Sequence, residues 1–508
     1  MTVTRPKKSD SSTPPLSKSR FMAGVQCHKR LYLELYHRDF ADPISPAQQA
    51  LFDQGTAVGE LARTFVPRGV LIDEDYTRHA AAMERTSSYL SDQSIPAIYE
   101  AAFRHDDVRV RVDVLKRNKD GSFGMIEVKS TTKKKPEHVL DTAIQAWVLR
   151  NTGIDLCSVE LLHLDISYVY PGGKYDPHNL FQVADLTEDV ESTLPEIPGL
   201  LHAMRKPLRA SQSPAIAVGE HCHTPYDCPF ITYCYSNQPE HPVTELQRLG
   251  KSTKAQLAAN GITDINEIPD NFNGLSILNQ RIRNSVLTGK LYLDRSLAPQ
   301  LKNLASPIYF IDFEAFNPAI PRYVNTHPYE MIPFQWSAHR LDQDGSIHHG
   351  EYLHRDPTDP RRAVLESLLD YVRGNGAICV YSSFEETQLK SLATALPDHA
   401  VSVRSIIDRL VDLLPLIREH VYHPKFHGSY SIKAVLPALV QNYGYSDLEI
   451  ANGVSAALAY EKLTDPSTPP DDARRIGNHL LNYCARDTEA LLRIYSAISE
   501  PDVLSVSS

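Results

Sequence analysis

Two hydrophobic periods alternate along the chain. From Val108 to Asn118 the run VRVRVDVLKRN alternates apolar and polar positions, the period of a strand. Val108, Val110, Val112 and Val114 take one face; Arg109, Arg111 and Asp113 take the other. Asn118-Lys119-Asp120-Gly121 predicts a turn, and SFGMIEVKS predicts a return strand with Phe123, Met125, Glu127 and Lys129 on one side. A turn centred near Asp120 sets Asp113 opposite Glu127. A later strand, IYFIDFEAF, carries Ile308, Phe310, Asp312 and Glu314 on one face, and AICVYSSFEETQL reads as a strand entering a helix. There Ser383 is the expected N-cap, Glu386 follows three residues on, and Glu385 falls in the first turn. The helical period appears in DARRIGNHLLNYCARDTEALLRIY, with a stripe through Ile476, Leu480, Tyr483, Asp487, Leu491 and Ile494. Asp487 lies in that stripe, and Tyr483 is one turn earlier on the same side.

These periods divide the chain. Residues 17–236 read as one unit, opening on the helical SRFMAGVQCHKRLYLELY and containing the hairpin. Residues 237–300 are helical and polar, with turn signals at Gly250 and Gly261, and read as a linker or a helix-hairpin-helix. Residues 301–498 form a second α/β unit. Residues 1–16 are expected to be a disordered lead and 499–508 a frayed tail. No repeat of solenoid period occurs.

At 508 residues the chain is too long for one ordinary core, and 42% hydrophobic with 22% charged residues describes a soluble globular protein. The basic N-terminus has no apolar core of a signal peptide, and no apolar run is long enough to span a bilayer. The expected setting is the cytoplasm, where thiols more often bind metal than pair as disulfides. A net charge of −10 argues against a protein coated with a polyanion, but leaves room for a locally basic groove. Basic runs occur at Lys129–Lys135 and at Arg205, Lys206 and Arg209; each reads first as a solvated face.

Against this background three groups stand out. Asp113, Glu127 and Lys129 would converge on one patch of the hairpin, an oxygen-rich set that suits Mg²⁺ or Mn²⁺. A plain Glu127–Lys129 salt bridge is the simpler alternative. Asp312 and Glu314 are two acids on an apolar strand, costly to bury unpaired, and a metal pair would compensate them. Cys27, far from Cys222, Cys228 and Cys234 in HCHTPYDCPFITYC, completes a possible thiolate quartet. Its two five-residue gaps are unlike the close pairs of zinc ribbons, and its surroundings (His221, His223, Asp227) are polar. Cys157, Cys379 and Cys484 sit in apolar contexts and read as core residues.

Asp, a hairpin's length, then Glu-x-Lys resembles the PD-(D/E)XK nuclease pattern. Gln145 in DTAIQAWVL matches the helical glutamine of the RecB-like subgroup, although Leu149 stands where that subgroup usually has Tyr. Glu60 in QGTAVGELA matches the place of an extra helical metal ligand. One early and three late cysteines around such a core resemble the iron–sulfur nucleases. That resemblance implies a structural [4Fe–4S] cluster on Cys27, Cys222, Cys228 and Cys234, with zinc as the alternative, stapling the first helix to the domain's last segment. The second unit resembles the DnaQ-type DEDD exonucleases on an RNase H-like fold. Asp312 and Glu314 match the first motif, Glu385 the second (where Asp is usual, and the preceding Asn is here Ser382 or absent), and Tyr483 and Asp487 the third in its tyrosine variety. There the carboxylates hold two metal ions and the tyrosine positions water. Lys433 or Ser431 in HPKFHGSYSIKAVLP is expected near that site. QCHKRLYLE, IEVKS, YFIDFEAF and GSYSIK resemble an uncharacterised bacterial family that fuses a RecB-like nuclease to a DnaQ-like exonuclease domain. The resemblance implies a metal-dependent nuclease with two sites, the first RecB-like and cleaving single-stranded DNA, the second 3′-to-5′ exonuclease-like and hydrolysing DNA or RNA from a 3′ end. The alternatives are a nucleic-acid-binding or scaffolding protein with one decayed site, and a sensor in which the cluster gates cleavage.

Overall fold

The structure, a computed structural model, describes residues 3, 4 and 14–500. Most of the expected lead and tail lies outside the described residues. The chain divides into two units, residues 1–237 with 318–330, and residues 238–317 with 331–508. Both are mixed α/β.

The first unit is built on a seven-stranded sheet. Its strands are β1 (Leu16–Ser17), β2 (Val70–Leu71), β3 (Ala97–His105), β4 (Val108–Arg117), β5 (Phe123–Lys129), β6 (Leu156–Leu164) and β7 (Phe181–Asp185). Leu16 thus belongs to a strand rather than to the lead. The order is β2-β3-β4-β5-β6-β7, with β1 pairing in parallel with the start of β4. The end of β4 pairs with β5, Val114 opposite Ile126 and Arg117 opposite Phe123, a register centred on Asp120 as the turn chemistry predicts. One edge of β4 therefore meets β1 in its first half and β5 in its second, and Asp113 sits at the fork. The helix Pro136–Asn151 connects β5 to the parallel β6.

The expected strict alternation of β4 fails at this fork. Val108, Val110 and Val112 pack in one core with Leu115 and Met125, but Val114 packs in another with Ile126 and Val58. The alternation slips by a residue beside Asp113. In β3 the residue opposite is Glu100, and it takes φ +58. A left-handed glutamate within a strand is a local strain that only surrounding structure can hold.

The second unit contains β8 (Tyr292–Leu293), β9 (Ile308–Phe316), β10 (Ile332–Leu341), β11 (Ile347–Leu353), β12 (Ile378–Val380), β13 (Leu410–Asp412) and β14 (Val421–Tyr422). Its five-stranded sheet runs β11-β10-β9-β12-β13; β9 to β11 are antiparallel, while β12 and β13 run parallel to β9. Strand β9 is buried on both faces. Ile308 and Phe310 pack with Leu491 and Ile494 of the thirty-residue helix Pro470–Ser499; Tyr309, Ile311 and Phe313 pack with Leu365 and Leu389. All six residues of the expected helical stripe are buried. The segment read as a linker contributes Leu257, Ile265, Ile282 and Leu297 to the same core as Phe310, so it is part of this unit's body.

Two cysteines match the core expectation and one does not. Cys379 and Cys484 are buried, but Cys157 is exposed. It falls at a register shift, where Phe123 pairs with Leu156 and Gly124 with Ser158, so the extra residue is turned outward.

Candidate functional site

In the first unit, the hairpin and the helix Pro136–Asn151 assemble the predicted residues, and the helix Lys18–Gln26 adds Lys18. Glu127 is only 1% exposed. Its Oε1 accepts from Lys129 Nζ at 2.7 Å and from Lys18 Nζ at 2.6 Å, and its Oε2 from Gln145 Nε2 at 2.7 Å. Asp141 Oδ2 accepts from Lys129 Nζ at 2.6 Å and lies 3.5 Å from Lys18 Nζ. Asp113 Oδ2 accepts the Val128 backbone N–H at 2.7 Å. Asp113, Glu127, Lys129 and Gln145 therefore come together. Glu60 does not join them: it is exposed on the helix Pro46–Ala62, whose Val58 and Ala62 face the core.

The electrostatics separate the two acids of the motif. Burial, then the Glu127 charge, pushes Asp113 up to about 7. Burial also works against Glu127 ionisation, but the ammonium groups of Lys129 and Lys18 overcome it and hold this carboxyl well below the usual range. Burial opposes both lysine charges too; Glu127 and Asp141 reverse that and raise each lysine. Thus Glu127 is a fixed anion, while Asp113 shares the neutral range with a proton. A third carboxyl, Glu100, is raised by burial and lies close enough to Glu127 to feel its charge. Gln145 Oε1 is buried without a partner.

Sequence reasoning missed Lys18, Glu100 and Asp141. Asp141 was legible, since it stands four residues before Gln145 on the same helix, and its backbone carbonyl accepts from Gln145 Nε2 at 3.0 Å. Lys18 and Glu100 carry no local signal; only the sheet register brings them in.

The second unit gathers four acids. Asp312 and Glu314 come from β9, Glu385 from the first turn of the helix Phe384–Ala395, and Asp487 from the long C-terminal helix. Donor atoms of Asp312, Glu314 and Cys484 lie within 4.8 Å of one another. Burial raises every one of these carboxyls, Glu385 to about 7. The Asp487 charge next raises Asp312 and Glu314. Lys433 is the nearby cation, easing Glu314 and Asp487. Its Nζ donates to Tyr483 Oη at 3.3 Å and stands 5.3 Å from the ring centres of both Tyr483 and Tyr445. Tyr445, which the sequence did not flag, donates its hydroxyl to Asp487 Oδ1. Glu385 Oε2 is buried without a partner. One ammonium facing four carboxyls, three of them buried, with an oxygen left unpaired, is a donor set that fits divalent cations.

The junction that delivers Glu385 differs from expectation in one detail. Ser383 occupies the N-cap position, but its side chain makes no capping bond. Ser382 instead accepts the Phe384 N–H at 3.1 Å, from a backbone held at φ +139. Glu386 points away and pairs with Lys390.

The four cysteines Cys27, Cys222, Cys228 and Cys234 line one cavity, with Lys29, Arg30 and His221 around it. Burial pushes the Cys228 thiol up to about 11, and Cys27 and Cys234 add to this. The cavity joins the C-terminal end of the first helix to the late cysteine loop: Gln26 Nε2 donates to the carbonyls of His221 and Tyr226, both at 2.7 Å. Four thiols with two basic neighbours fit an anionic thiolate-held group. Among the described residues, the compact donor groups spanning 4.8 Å or less are Asp312–Glu314–Cys484 and His241–Glu245–His427; the cysteine quartet is not one of them.

Of the basic runs, Lys134 pairs with Asp189 and Arg205 with Asp106, so part of that charge is spent locally. No helix among the described residues is long and apolar enough to cross a membrane.

Comparison with known proteins adds little chemistry. A family model described as a domain of unknown function (DUF2779) matches residues 309–431. The chain is 22% identical over 247 residues to the uncharacterized protein UU173 of Ureaplasma parvum serovar 3, covering 44% of this chain and 36% of that relative. The chain thus matches about a third of that relative's length. The crystal structure of SSO0001 aligns with 38% of this chain and 79% of its own at 13% identity, with a TM-score of 0.18, too low to define a common fold.

Proposed function

We propose that this protein is a metal-dependent nuclease with two separate sites hydrolysing phosphodiester bonds of DNA or RNA. The observation that carries the reading is the convergence of Asp312, Glu314, Glu385 and Asp487, four carboxyls all raised by burial, with the Asp487 charge raising the other three and one lysine beside them. Holding these carboxyls ionised together is costly unless cations enter among them. A bound Mg²⁺ or Mn²⁺ pair would supply Lewis acidity and an activated water for in-line displacement at phosphorus. The strand order β11-β10-β9-β12-β13 with β9 central supports an RNase H-like assignment for this unit, and Tyr483 next to Asp487 supports the tyrosine type of exonuclease site.

The first unit supports a PD-(D/E)XK reading. Asp113 at the fork of β4, Glu127 and Lys129 on β5 and Gln145 on the following helix are the elements that pattern requires. In this group Glu127 holds two ammonium ions in place, and Lys129 is positioned to steady charge on a phosphate oxygen. The four cysteines lining one cavity beside Lys29 and Arg30 support an anionic thiolate-held cluster. A cytoplasmic setting is consistent with free thiols.

The decisive experiment is anaerobic purification with metal analysis, followed by Mn²⁺ assays on end-labelled single- and double-stranded DNA and RNA. Asp113→Ala and Asp312→Ala are expected each to abolish one separable activity. Full Mn²⁺-dependent activity in both variants would refute the assignment.

A further inference from the structure

Two stretches of the second unit far apart in sequence bring together His241, Glu245 and His427, residues of neither carboxylate group. Their donor atoms all lie within 4.8 Å of one another. Glu245 Oε2 is 3.1 Å from His241 Nδ1, and its Oε1 is 3.0 Å from His427 Nδ1. The two imidazoles stack with centroids 5.1 Å apart. His241 and Glu245 are buried, whereas the His427 side chain is 53% exposed.

A buried carboxylate needs a compensating cation. The ion-pair partners of Glu245 among the described residues are these two histidines, and neither lysine nor arginine. Imidazole in its neutral form is a metal ligand. The backbone is also bent to present the outer ring. His427 takes φ +45 and Gly428 φ +73. Left-handed geometry at a residue other than glycine is sterically costly, and such strain gathers at sites where a side chain must be aimed. The approach is close as well: a Cβ on Gly428 would come within 2.6 Å of the Glu245 carbonyl oxygen. Gln247 Nε2 bridges the same two segments, donating to the carbonyls of Glu245 at 3.0 Å and Gly428 at 2.7 Å.

We propose that His241, Glu245 and His427 bind one divalent transition-metal ion of the zinc type, with an open position toward solvent beside His427. Two imidazole nitrogens with one carboxylate oxygen are a zinc donor set, and nitrogen ligands disfavour Mg²⁺ and Ca²⁺. Such an ion clamps the turn that ends at Glu245 to the turn His423–Gly428. From there the chain enters the helix Ile432–Leu439, which carries Lys433 to the four-acid group. The site requires no activity from either carboxylate group, so it stands or falls apart from the nuclease reading.

The test uses the full chain, stripped with a chelator and re-equilibrated with zinc against a competing chromogenic chelator. Zinc per chain is measured by mass spectrometry for wild type, His427→Ala and His427→Lys, with folding checked by circular dichroism. Wild type is expected to hold one zinc per chain more than either variant. The lysine variant keeps a cation beside Glu245 without a metal ligand, so it is expected to stay folded and still lose that equivalent. Equal zinc content in wild type and His427→Lys, including none in both, overturns the proposal.

Discussion

Lys18 and Cys27 stand at the two ends of one helix, Lys18–Gln26 with Cys27 as its C-cap. Lys18 donates to Glu127 at one end, and at the other Cys27 joins the cavity of Cys222, Cys228 and Cys234. Nine residues at 1.5 Å each set the ends about 13 Å apart. A group bound by the cysteines would therefore fix the position of an ammonium in the first carboxylate site. Tyr226, in the same cysteine loop, senses the charges of Glu137, Lys129 and Asp141, a second link between the two places.

The first prediction follows from that helix. Cys27→Ser is expected to lower the activity removed by Asp113→Ala by at least about tenfold, since misplacing one catalytic-site group by an ångström costs on the order of a hundredfold. The activity removed by Asp312→Ala is expected to be unchanged. Parallel assays of the two activities, with iron analysis of the same preparations, check it; an equal loss in both would mean general misfolding.

A second prediction concerns the lysine that no motif announced. Both Lys18 and Lys129 hold Glu127 ionised. Lys18→Met removes one ammonium, so Glu127 loses part of its downward shift and Asp113 loses a charge that lowers it. The acid limb of the first activity's pH profile is expected to move to higher pH, with kcat at pH 8.5 falling less than at pH 6.5. Lys129→Met, which alters a residue of the Glu-x-Lys motif itself, is expected to lower kcat across the whole range.

How much of this was legible beforehand depended on whether the signal was local. The β4–β5 hairpin was fixed by its turn residues, because the register of an antiparallel pair follows from where the chain reverses. The stripe from Ile476 to Ile494 was readable because a long helix on a core repeats its period many times. Glu100 was not, since its place opposite Asp113 depends on β3 pairing with β4 and on a left-handed residue that no alternation pattern encodes. Val114 was misread for the same reason. Lys18, Tyr445 and the His241–Glu245–His427 group join segments far apart in sequence, and only the folded chain brings them together.

A third prediction isolates Tyr445. Its hydroxyl donates to Asp487, a bond that favours the ionised carboxylate against the burial that raises it. Tyr445→Phe removes that donor while keeping the ring beside Lys433. Asp487 is then expected to ionise at higher pH, shifting the acid limb of the second activity alkaline, with weaker Mn²⁺ dependence at low pH. Rates at saturating Mn²⁺ and pH 8.5 are expected to stay within a few-fold of wild type. An unchanged pH profile would remove Tyr445 from the site.

The last prediction turns the cost of the four-acid group into a stability measurement. Glu385 ionises near 7 in the folded chain, against an ordinary 4.5, and burial is the chief cause. Between those values the folded state binds more protons than the unfolded one, so stability falls as pH rises through this window. Above about pH 7 the full destabilisation is present. Glu385→Gln cannot ionise, so it is expected to stabilise the metal-free protein at pH 8 by on the order of 1–3 kcal/mol and to give little gain at pH 4.5. The opposite sign is expected with Mn²⁺ present: wild type gains more stability from the ion at pH 8 than at pH 5, and the glutamine variant gains less than wild type. Denaturant melts of both proteins at the two pH values, with chelator or with Mn²⁺, provide the check. Equal stability of the two metal-free proteins at pH 8 would mean that Glu385 bears no buried charge for a cation to neutralise.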